Sequence, residues 1–571
     1  LSDSLFIESA KFADATDTTQ SFNMVLRSGI LYHDINDTLS LSSTNNPVDL
    51  SSNTGITVKQ GVVKSKSTVT TNSNTIIELD GGNFNVGDNA DEHFLYNTGT
   101  TVNINDGDMT VAGAFARDNS TSLIDLTIEN LNFIKVNAVG NTDPDKIGFD
   151  ITNSASSFTM NGGRIIIANA GGTTPASADY RVSAQDGLGF VAGTVQSGDS
   201  LLTLDNTVIK IAGNTPVYDL HFANAPANDV ETEITESIFT IKNDWTLDAA
   251  HSFNLNGNTV NLAGNLTNYG IFTGLPGGVT TDPWLIVLNG TSNQTLFSNL
   301  SNFDLFNLQV AKTSGNVLLS GSGSSNLVVR NTLDFTSTNN SFIDASATGR
   351  YVEVSELPYS TPTIFRVGKG HVYGRLYRTI PSGSSLVNFP VGADTIGSYR
   401  PAIFETVGSG GTVGLVGVRH YPFVHPDTVD APFQTDKNIL KYWNVDNTGG
   451  FDLGSRTFNL TLRFINPMDL NGSNTLFNEQ FRYSPPYPPS AGDWTELNTP
   501  NKTDTTNQSI SNSLFGDFAI GEPRGLTFYS YDNGSWFDLN TWSIDGYESK
   551  STPVTRYPEE ATDIVRIGNG K

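Results

Sequence analysis

The sequence predicts an all-β protein: a right-handed parallel β-helix, then an antiparallel β-sandwich, then the start of a further β-helix unit. Three observations carry this. Short runs alternate apolar and polar residues with period two, as in Thr75-Ile-Ile-Glu-Leu79, Val102-Asn-Ile104 and Val328-Val-Arg-Asn-Thr-Leu-Asp-Phe335, while helical periodicity is almost absent. Asn, Asp and Gly interrupt these runs at short intervals and supply turn residues. One composite pattern then recurs at a spacing near 25 residues, as expected for a β-helix coil.

The pattern is two alternating apolar residues, an Asx-Gly or Asx-Asn corner, and two more apolar residues. It reads Ile77-Glu-Leu-Asp-Gly-Gly-Asn-Phe-Asn-Val86, Val102-Asn-Ile-Asn-Asp-Gly-Asp-Met-Thr-Val111 and Phe158-Thr-Met-Asn-Gly-Gly-Arg-Ile-Ile-Ile167. It returns as Leu202-Thr-Leu-Asp-Asn-Thr-Val-Ile-Lys-Ile-Ala-Gly213 and Phe253-Asn-Leu-Asn-Gly-Asn-Thr-Val-Asn-Leu-Ala-Gly264, with a weaker copy over Leu126–Phe133. The corner residues Asp80, Asn105, Asn130, Asn161, Asp205 and Asn256 are 25, 25, 31, 44 and 51 residues apart, the last two near twice the first. Gly and Asn take the left-handed conformations such corners need, and stacked coils can bond Asn side chains in a ladder. Each copy alone also fits an antiparallel hairpin. The near-constant spacing, without a second strong turn per unit, favours the coil. Residues 1–350 would then make roughly 14 coils and a rod of about 65–70 Å.

After about residue 350 the composition shifts. All six Trp lie from Trp245 onward, and Ser484-Pro-Pro-Tyr-Pro-Pro-Ser490 cannot be central strand. The expected strands here are 399–405, 412–419, 439–444, 458–464, 480–483, 494–497 and 515–520. The domains are therefore set at 1–380 for the β-helix, 381–525 for the sandwich and 526–571 for the start of the next unit.

Charge excludes some functions. The 571 residues hold 32 basic and 58 acidic side chains, a net −26, which argues against nucleic-acid binding and against docking on anionic lipid. Zero cysteine removes disulfides, thiol nucleophiles, thiolate zinc sites and iron–sulfur clusters. No apolar stretch approaches the ~20 residues that would insert in a bilayer. The chain opens at Leu1 without an initiator Met or signal peptide, as a mature product or an excised segment would, and the tail motifs given below favour a segment of something longer.

The sequence contains no HExxH helix, P-loop, GxSxG elbow or dinucleotide fingerprint. His420 and His425 flank Tyr421 and Pro422 without a third ligand nearby, so ordinary packing roles are expected. Acid clusters occur at Asp88/Asp91/Glu92, Asp106/Asp108 and Asp143/Asp145. A paired-carboxylate hydrolase needs ~5 to 9.5 Å between such groups. Solvated turn acids are the simpler reading, and no catalytic residue is assigned. Calcium is the one cofactor with candidate ligands, Asn105, Asp106 and Asp108, although their spacing is not that of an EF-hand loop. Trp536 and Trp542, and Tyr483, Tyr487 and Trp494 near the proline loop, either stack on sugars or plug the core, the second being favoured.

From residue 284 the order of motifs is informative. Leu285-Ile-Val-Leu-Asn-Gly-Thr-Ser-Asn-Gln-Thr-Leu296 precedes Phe306-Asn-Leu-Gln-Val-Ala-Lys-Thr-Ser-Gly-Asn-Val317, then Val372-Tyr-Gly-Arg-Leu-Tyr-Arg-Thr-Ile380, Phe389-Pro-Val-Gly392, Lys441-Tyr-Trp-Asn-Val445 and Phe518-Ala-Ile-Gly-Glu522. In the tail, Gly534-Ser-Trp-Phe-Asp-Leu-Asn-Thr-Trp-Ser543 leads to Asp563-Ile-Val-Arg-Ile-Gly-Asn-Gly570. This resembles large repetitive cell-surface proteins of Bacteroidota exported by the type 9 secretion system, in which a β-helix runs into an Ig-like sandwich. The resemblance covers roughly residues 230–571, and the family's C-terminal sorting domain is not visible. It implies an extracellular, surface location, with the outer-membrane translocon and surface-anchoring components as partners. It also implies O-glycosylation at Asp-Ser/Thr-apolar or Asp-Thr-Thr tripeptides, of which seven fit: Ser4, Thr18, Thr38, Ser200, Thr395, Thr428 and Thr505.

The function expected is a non-catalytic stalk, adhesin or filament segment that meets glycans or neighbouring copies of itself. The alternatives are a secreted β-helix polysaccharide lyase or glycoside hydrolase, and a sugar-binding adhesin module.

Overall fold

The computed structural model describes residues 4–7, 29–42, 47–170, 178–183, 189–198, 207–223, 230–249, 251–272, 283–321, 326–336, 341–355, 363–366, 370–394, 398–428, 431–484, 494–525, 527–548, 550–551, 554, 556–559 and 563–568. Two compact units form: Leu1–Ser341 with Leu357–Gly368, and Phe342–Glu356 with Lys369–Lys571.

The first unit is a parallel β-solenoid of about eleven turns. Each coil visits three parallel ladders. Ile76–Asp80, Asn83–Val86 and Phe94–Tyr96 form one coil, and Thr100–Asp106 begins the next. The pairing is parallel, Ile77 with Val102, Val102 with Leu126 and Leu126 with Phe158, so the Asx corners join strands of one coil rather than close hairpins. These four residues hold equivalent positions in the repeated sequence pattern. Coil length is set on the second ladder, where Leu39, Val63, Phe84, Met109, Ile134, Ile165, Val195, Leu220, Trp245, Leu266, Leu296 and Leu319 stack in register. All twelve are buried. The eleven steps average about 25 residues, and the count falls below fourteen because it begins at Leu39 and ends at Leu319.

The alternation in the sequence follows from this geometry, since successive side chains in a strand point to opposite faces. The inward residues stack on like residues one coil away. On the third ladder Phe94, Phe115, Phe149 and Tyr180 stack with ring centroids 5.0, 5.4 and 5.8 Å apart. Each such pair adds about 0.5–1.5 kcal/mol to the burial of its rings.

The corner between the first and second ladders explains the Asx-Gly signal. Asn105 Nδ2 donates to Asp80 Oδ1 at 2.8 Å, Asn130 Nδ2 to the Asn105 carbonyl at 3.3 Å, and Asn161 Nδ2 to Glu129 Oε1 at 2.7 Å. Asn130 is left-handed, with φ 56°. At Gly107, φ is 120°, and a Cβ would lie 2.1 Å from the Gly82 carbonyl oxygen, so only glycine lets the coils approach there. Two of the expected corner residues do not extend this ladder. Asp205 lies outside the described residues. Asn256 follows His251–Asn254 of the third ladder and precedes Thr259–Leu262 of the first, a different corner served by the same turn chemistry.

In the second unit, His371–Ile380 marks a change of pairing. Its residues pair parallel with Phe342–Ala345 and Tyr351–Val354, and its second half antiparallel with Gly414–Tyr421. Antiparallel pairing continues through Phe433–Thr448, Gly516–Pro523, Glu479–Tyr483 and Trp494–Glu496. A second antiparallel sheet runs Ser385–Phe389, Ala402–Val407, Thr457–Arg463, Thr506–Asn512 and Asn501–Lys502. Of these strands beyond Ile380, seven overlap those expected from sequence; Ser385–Phe389, Asn501–Lys502 and Thr506–Asn512 fall outside them.

The two sheets share a core. Phe458 lies 4.7 Å from Phe404 and 6.4 Å from Phe518 of the other sheet. Gln480 is fully buried and reaches across, its amide donating to the carbonyls of Leu460 and Asn507. Trp443 donates Nε1–H to the Arg400 carbonyl at 3.0 Å, and the Arg400 guanidinium forms a buried ion pair with Asp469. Beyond residue 526, Thr527–Ser530 pairs parallel with Ile564–Arg566 and antiparallel with Trp542–Ser543, around Phe528, Trp542 and Val554.

Candidate functional site

The three calcium candidates sit on the Asx corner. Asn105 bonds Asp80, Asp108 Oδ1 accepts the Phe133 N–H at 3.0 Å, and Asp106 is exposed. Burial raises the Asp108 carboxyl above its ordinary range, opposed by the Phe133 N–H and assisted by Asp106. Among the described residues, no three His, Cys, Asp or Glu side chains gather to hold a metal ion.

Folding joins two of the acid clusters that sequence left apart. Asp91 accepts from the backbone and hydroxyl of Thr142 and from the Asp143 N–H, pinning loop 138–146 to the corner of an earlier coil. Burial would raise the Asp91 carboxyl, but these donors and nearby His93 carry it below its usual value. Glu92 is buried and accepts the N–H groups of Asp88 and Asn89, and Asp143 accepts from Asp145. His93 Nδ1 accepts the Ala114 N–H at 2.9 Å, and its Nε2 lies 3.9 Å from Asp143. Burial lowers its basicity despite Asp143 and Asp91. These acids hold backbone N–H groups, Glu92 from a buried position rather than a solvated one.

The histidines and aromatics of the second unit converge. His425 bonds Asp517 at 3.1 Å and touches the rings of Tyr442, Tyr483 and Trp494, each within 4.9 Å. Trp494 also packs on Phe433 and donates to the Asp427 carbonyl. Tyr421 stacks on Tyr442 at 4.4 Å beneath the Arg419 guanidinium. His420 is buried against Trp443 and held strongly neutral by desolvation. In the tail, Trp536 and Trp542 donate to the carbonyls of Pro558 and Trp536. Tyr487 lies outside the described residues. Tyr483 and Trp494 thus plug a core.

Of the glycosylation candidates, Thr38 and Thr505 are exposed, the first in Gly29–Ser40 and the second in a turn; Thr428 is partly buried in a loop, and Ser4 sits in register with Ile30. Thr18, Ser200 and Thr395 lie outside the described residues.

The feature that sequence reasoning missed is a cleft of about 490 Å³ on the second ladder, lined by Arg164, Thr194, Asp219, His221, Asp244 and Thr246 among others. It arises from register. Arg164 pairs with Thr194 and Thr194 with Asp219, while His221 pairs with Thr246, so outward side chains form two parallel rows. Asp219 Oδ1 accepts from Asn243 Nδ2 and the Asp244 N–H, and Asp244 Oδ1 accepts from Asn265. Burial raises the Asp219 carboxyl, against these two donors and with the help of Asp244. His221 is oriented by Asp248 at 3.1 Å. No single segment carries the constellation, and the only signal in the sequence was the Asx recurrence. No family model matches the chain, and comparison with curated proteins and with solved structures finds no match.

Proposed function

We propose that this chain is a non-catalytic stalk or adhesin segment of a longer extracellular protein displayed on a bacterial surface. The observation that carries the reading is the unbroken parallel register from Leu39 to Leu319, fastened by Asx side chains that bond the following coil. A coil contacts only its neighbours, so such a unit extends by repetition, here roughly 50 Å along its axis. In this reading the solenoid winds right-handed, the hand that parallel crossovers take. The antiparallel sheets over 385–523 act as an Ig-like spacer, and residues 526–571 open a further β-helix. The net charge of −26 opposes non-specific association. Export through a type 9 translocon, surface anchoring and glycosylation at exposed Thr38 and Thr505 complete the proposal, and all rest on the sequence resemblance.

The test is surface proteolysis of intact native cells, with the mass of the native polypeptide read before and after chemical deglycosylation. The expected product is a surface-exposed polypeptide far above 61.4 kDa that disappears from the surface when the translocon is disrupted. An unmodified species near 61.4 kDa, free in the medium and releasing products from polysaccharide, overturns the reading in favour of the secreted enzyme.

A further inference from the structure

We propose that the cleft running from Arg164 to Thr246 on the solenoid binds a neutral oligosaccharide chain. The cleft holds unused hydrogen-bonding capacity. Each of Asp219 and Asp244 commits Oδ1 to the ladder, while Oδ2 has no donor among the described residues. The Arg164 guanidinium and the hydroxyls of Thr194 and Thr246 likewise have no partner there. These groups converge on one cleft of about 490 Å³, within the range of ligand sites. The Asp91–Thr142 and His425–Asp517 clusters differ, because their polar atoms satisfy one another.

The shape selects a chain. Arg164, Thr194, Asp219 and Asp244 lie on four successive coils, so the row spans about 14 Å at the strand spacing. A single small molecule would engage only part of it. Chemistry selects hydroxyls. Carboxylate oxygens accept from ligand O–H groups, a guanidinium donates to ligand oxygens, and Thr hydroxyls do either. Leu220 turns inward and is buried, and the cleft lining holds no Phe, Tyr or Trp, so it offers no apolar wall to a lipid or an apolar peptide. Charge selects a neutral chain. Two lining carboxylates face one arginine and a histidine already paired with Asp248, on a chain of net −26. An anionic polymer would meet repulsion. The proposal stands independently of where the chain is displayed.

The test titrates the full chain with neutral gluco-, manno- and xylo-oligosaccharides, with oligogalacturonate and a heparin oligosaccharide as anionic probes. Hydrogen exchange is followed on peptides covering 157–167, 189–198, 217–223 and 243–249. The expected result is saturable binding of at least one neutral oligomer, protection confined to those peptides, and no binding of the anionic probes. Thr194→Val/Thr246→Val keeps strand shape but removes two hydroxyls, and weakens binding about tenfold or more. Arg164→Gln, at a side chain with no hydrogen bond or ion pair among the described residues, weakens it independently. Thr127→Val, on the first ladder, leaves it unchanged. Absence of binding by every neutral oligomer, preference for an anionic probe, or equal affinity in the cleft variants and the parent chain overturns the proposal.

Discussion

His251 should make the solenoid acid-labile, and the structure gives the size of the effect. Its ring is fully buried and stacks on Phe222 at 5.2 Å. Nδ1–H donates to the Ala223 carbonyl at 3.2 Å, so Nε2 accepts from the Thr232 hydroxyl at 2.7 Å, and Thr232 in turn meets Ser197 at 2.8 Å. An imidazolium would bring a second N–H to Thr232 and a charge to a fully buried site. Burial therefore lowers the His251 pKa from 6.5 to about 4, against the Ala223 carbonyl and Asp248, which favour the charged ring, and with His221, which opposes it. The folded value lies below the unfolded one, so as pH falls the unfolded chain takes the proton first. The stabilisation is complete above pH 6.5, declines between 6.5 and about 4, and levels off below. At about 1.4 kcal/mol per unit the full loss is about 3 kcal/mol, more than a hundredfold in the local opening constant. Native-state hydrogen exchange of peptides covering 245–262, corrected for intrinsic rates, reads that opening between pH 7 and 4.5. Other groups titrate in the same window, so the comparison is with His251→Gln, which is neutral throughout. The variant should start less stable at pH 7, with a slope shallower by about 1.4 kcal/mol per unit. Parallel slopes for the two chains would refute the argument, because His251 would then carry no differential protonation.

Gly107→Ala should destabilise the solenoid by about 2–3 kcal/mol or more in urea unfolding followed by circular dichroism, since its Cβ meets the Gly82 carbonyl at a positive φ. Asp108→Ala should cost about 1–2 kcal/mol by leaving the Phe133 N–H without its acceptor, whereas Asp108→Asn keeps an acceptor oxygen and most of the stability. Thermal midpoints with calcium or with chelator should coincide for both. In the second unit, Arg400→Met should cost about 3–5 kcal/mol by stranding buried Asp469, measured as a shift in the near-ultraviolet transition of Trp443. Lys437→Met should cost well under 1 kcal/mol, because the Lys437–Glu522 pair is wider and its lysine is exposed.

The solenoid was legible where corner chemistry and coil length agreed. Asp80, Asn105 and Asn130 repeat at 25 residues because two successive coils have that length, and the bond from Asn105 to Asp80 is the physical content of the period. Legibility failed once coils changed length. From Ile134 to Ile165 a step takes 31 residues, and from Trp245 to Leu266 only 21. Extra residues leave as loops such as 138–146, which are polar and Asx-rich like the corners themselves. Asn256-Gly257, left-handed at φ 49° and 75°, turns a different corner by the same means, so its sequence cannot say which corner it turns. In the second unit the long apolar strands were visible, while the edge strand Ser385–Phe389 puts Leu386 and Val387 side by side and the amide-rich Thr506–Asn512 buries Asn507, Ser509 and Asn512 as its inward row, so neither shows an apolar–polar alternation in sequence.

The cleft shows why sites on such folds escape sequence reading. Asp219 and Asp244 belong to one row because their coils happen to be 25 residues long, and Arg164 joins them only through a 30-residue step to Thr194. Acid clusters that are adjacent in sequence, Asp106/Asp108 and Asp88/Asp91/Glu92, instead fall at corners, where backbone N–H groups of the same coil claim Glu92, of the next coil Asp108, and of a loop two coils on Asp91. Asp219 and Asp244 also give Oδ1 to an N–H of the next coil but keep Oδ2, while Arg164, Thr194 and Thr246 lie within strands whose own N–H groups are paired in the ladder. The side chains left free to meet a ligand are therefore those separated by whole coils. For this architecture, outward polar residues compared at the observed coil lengths are a better guide to binding than clusters of acids along the chain.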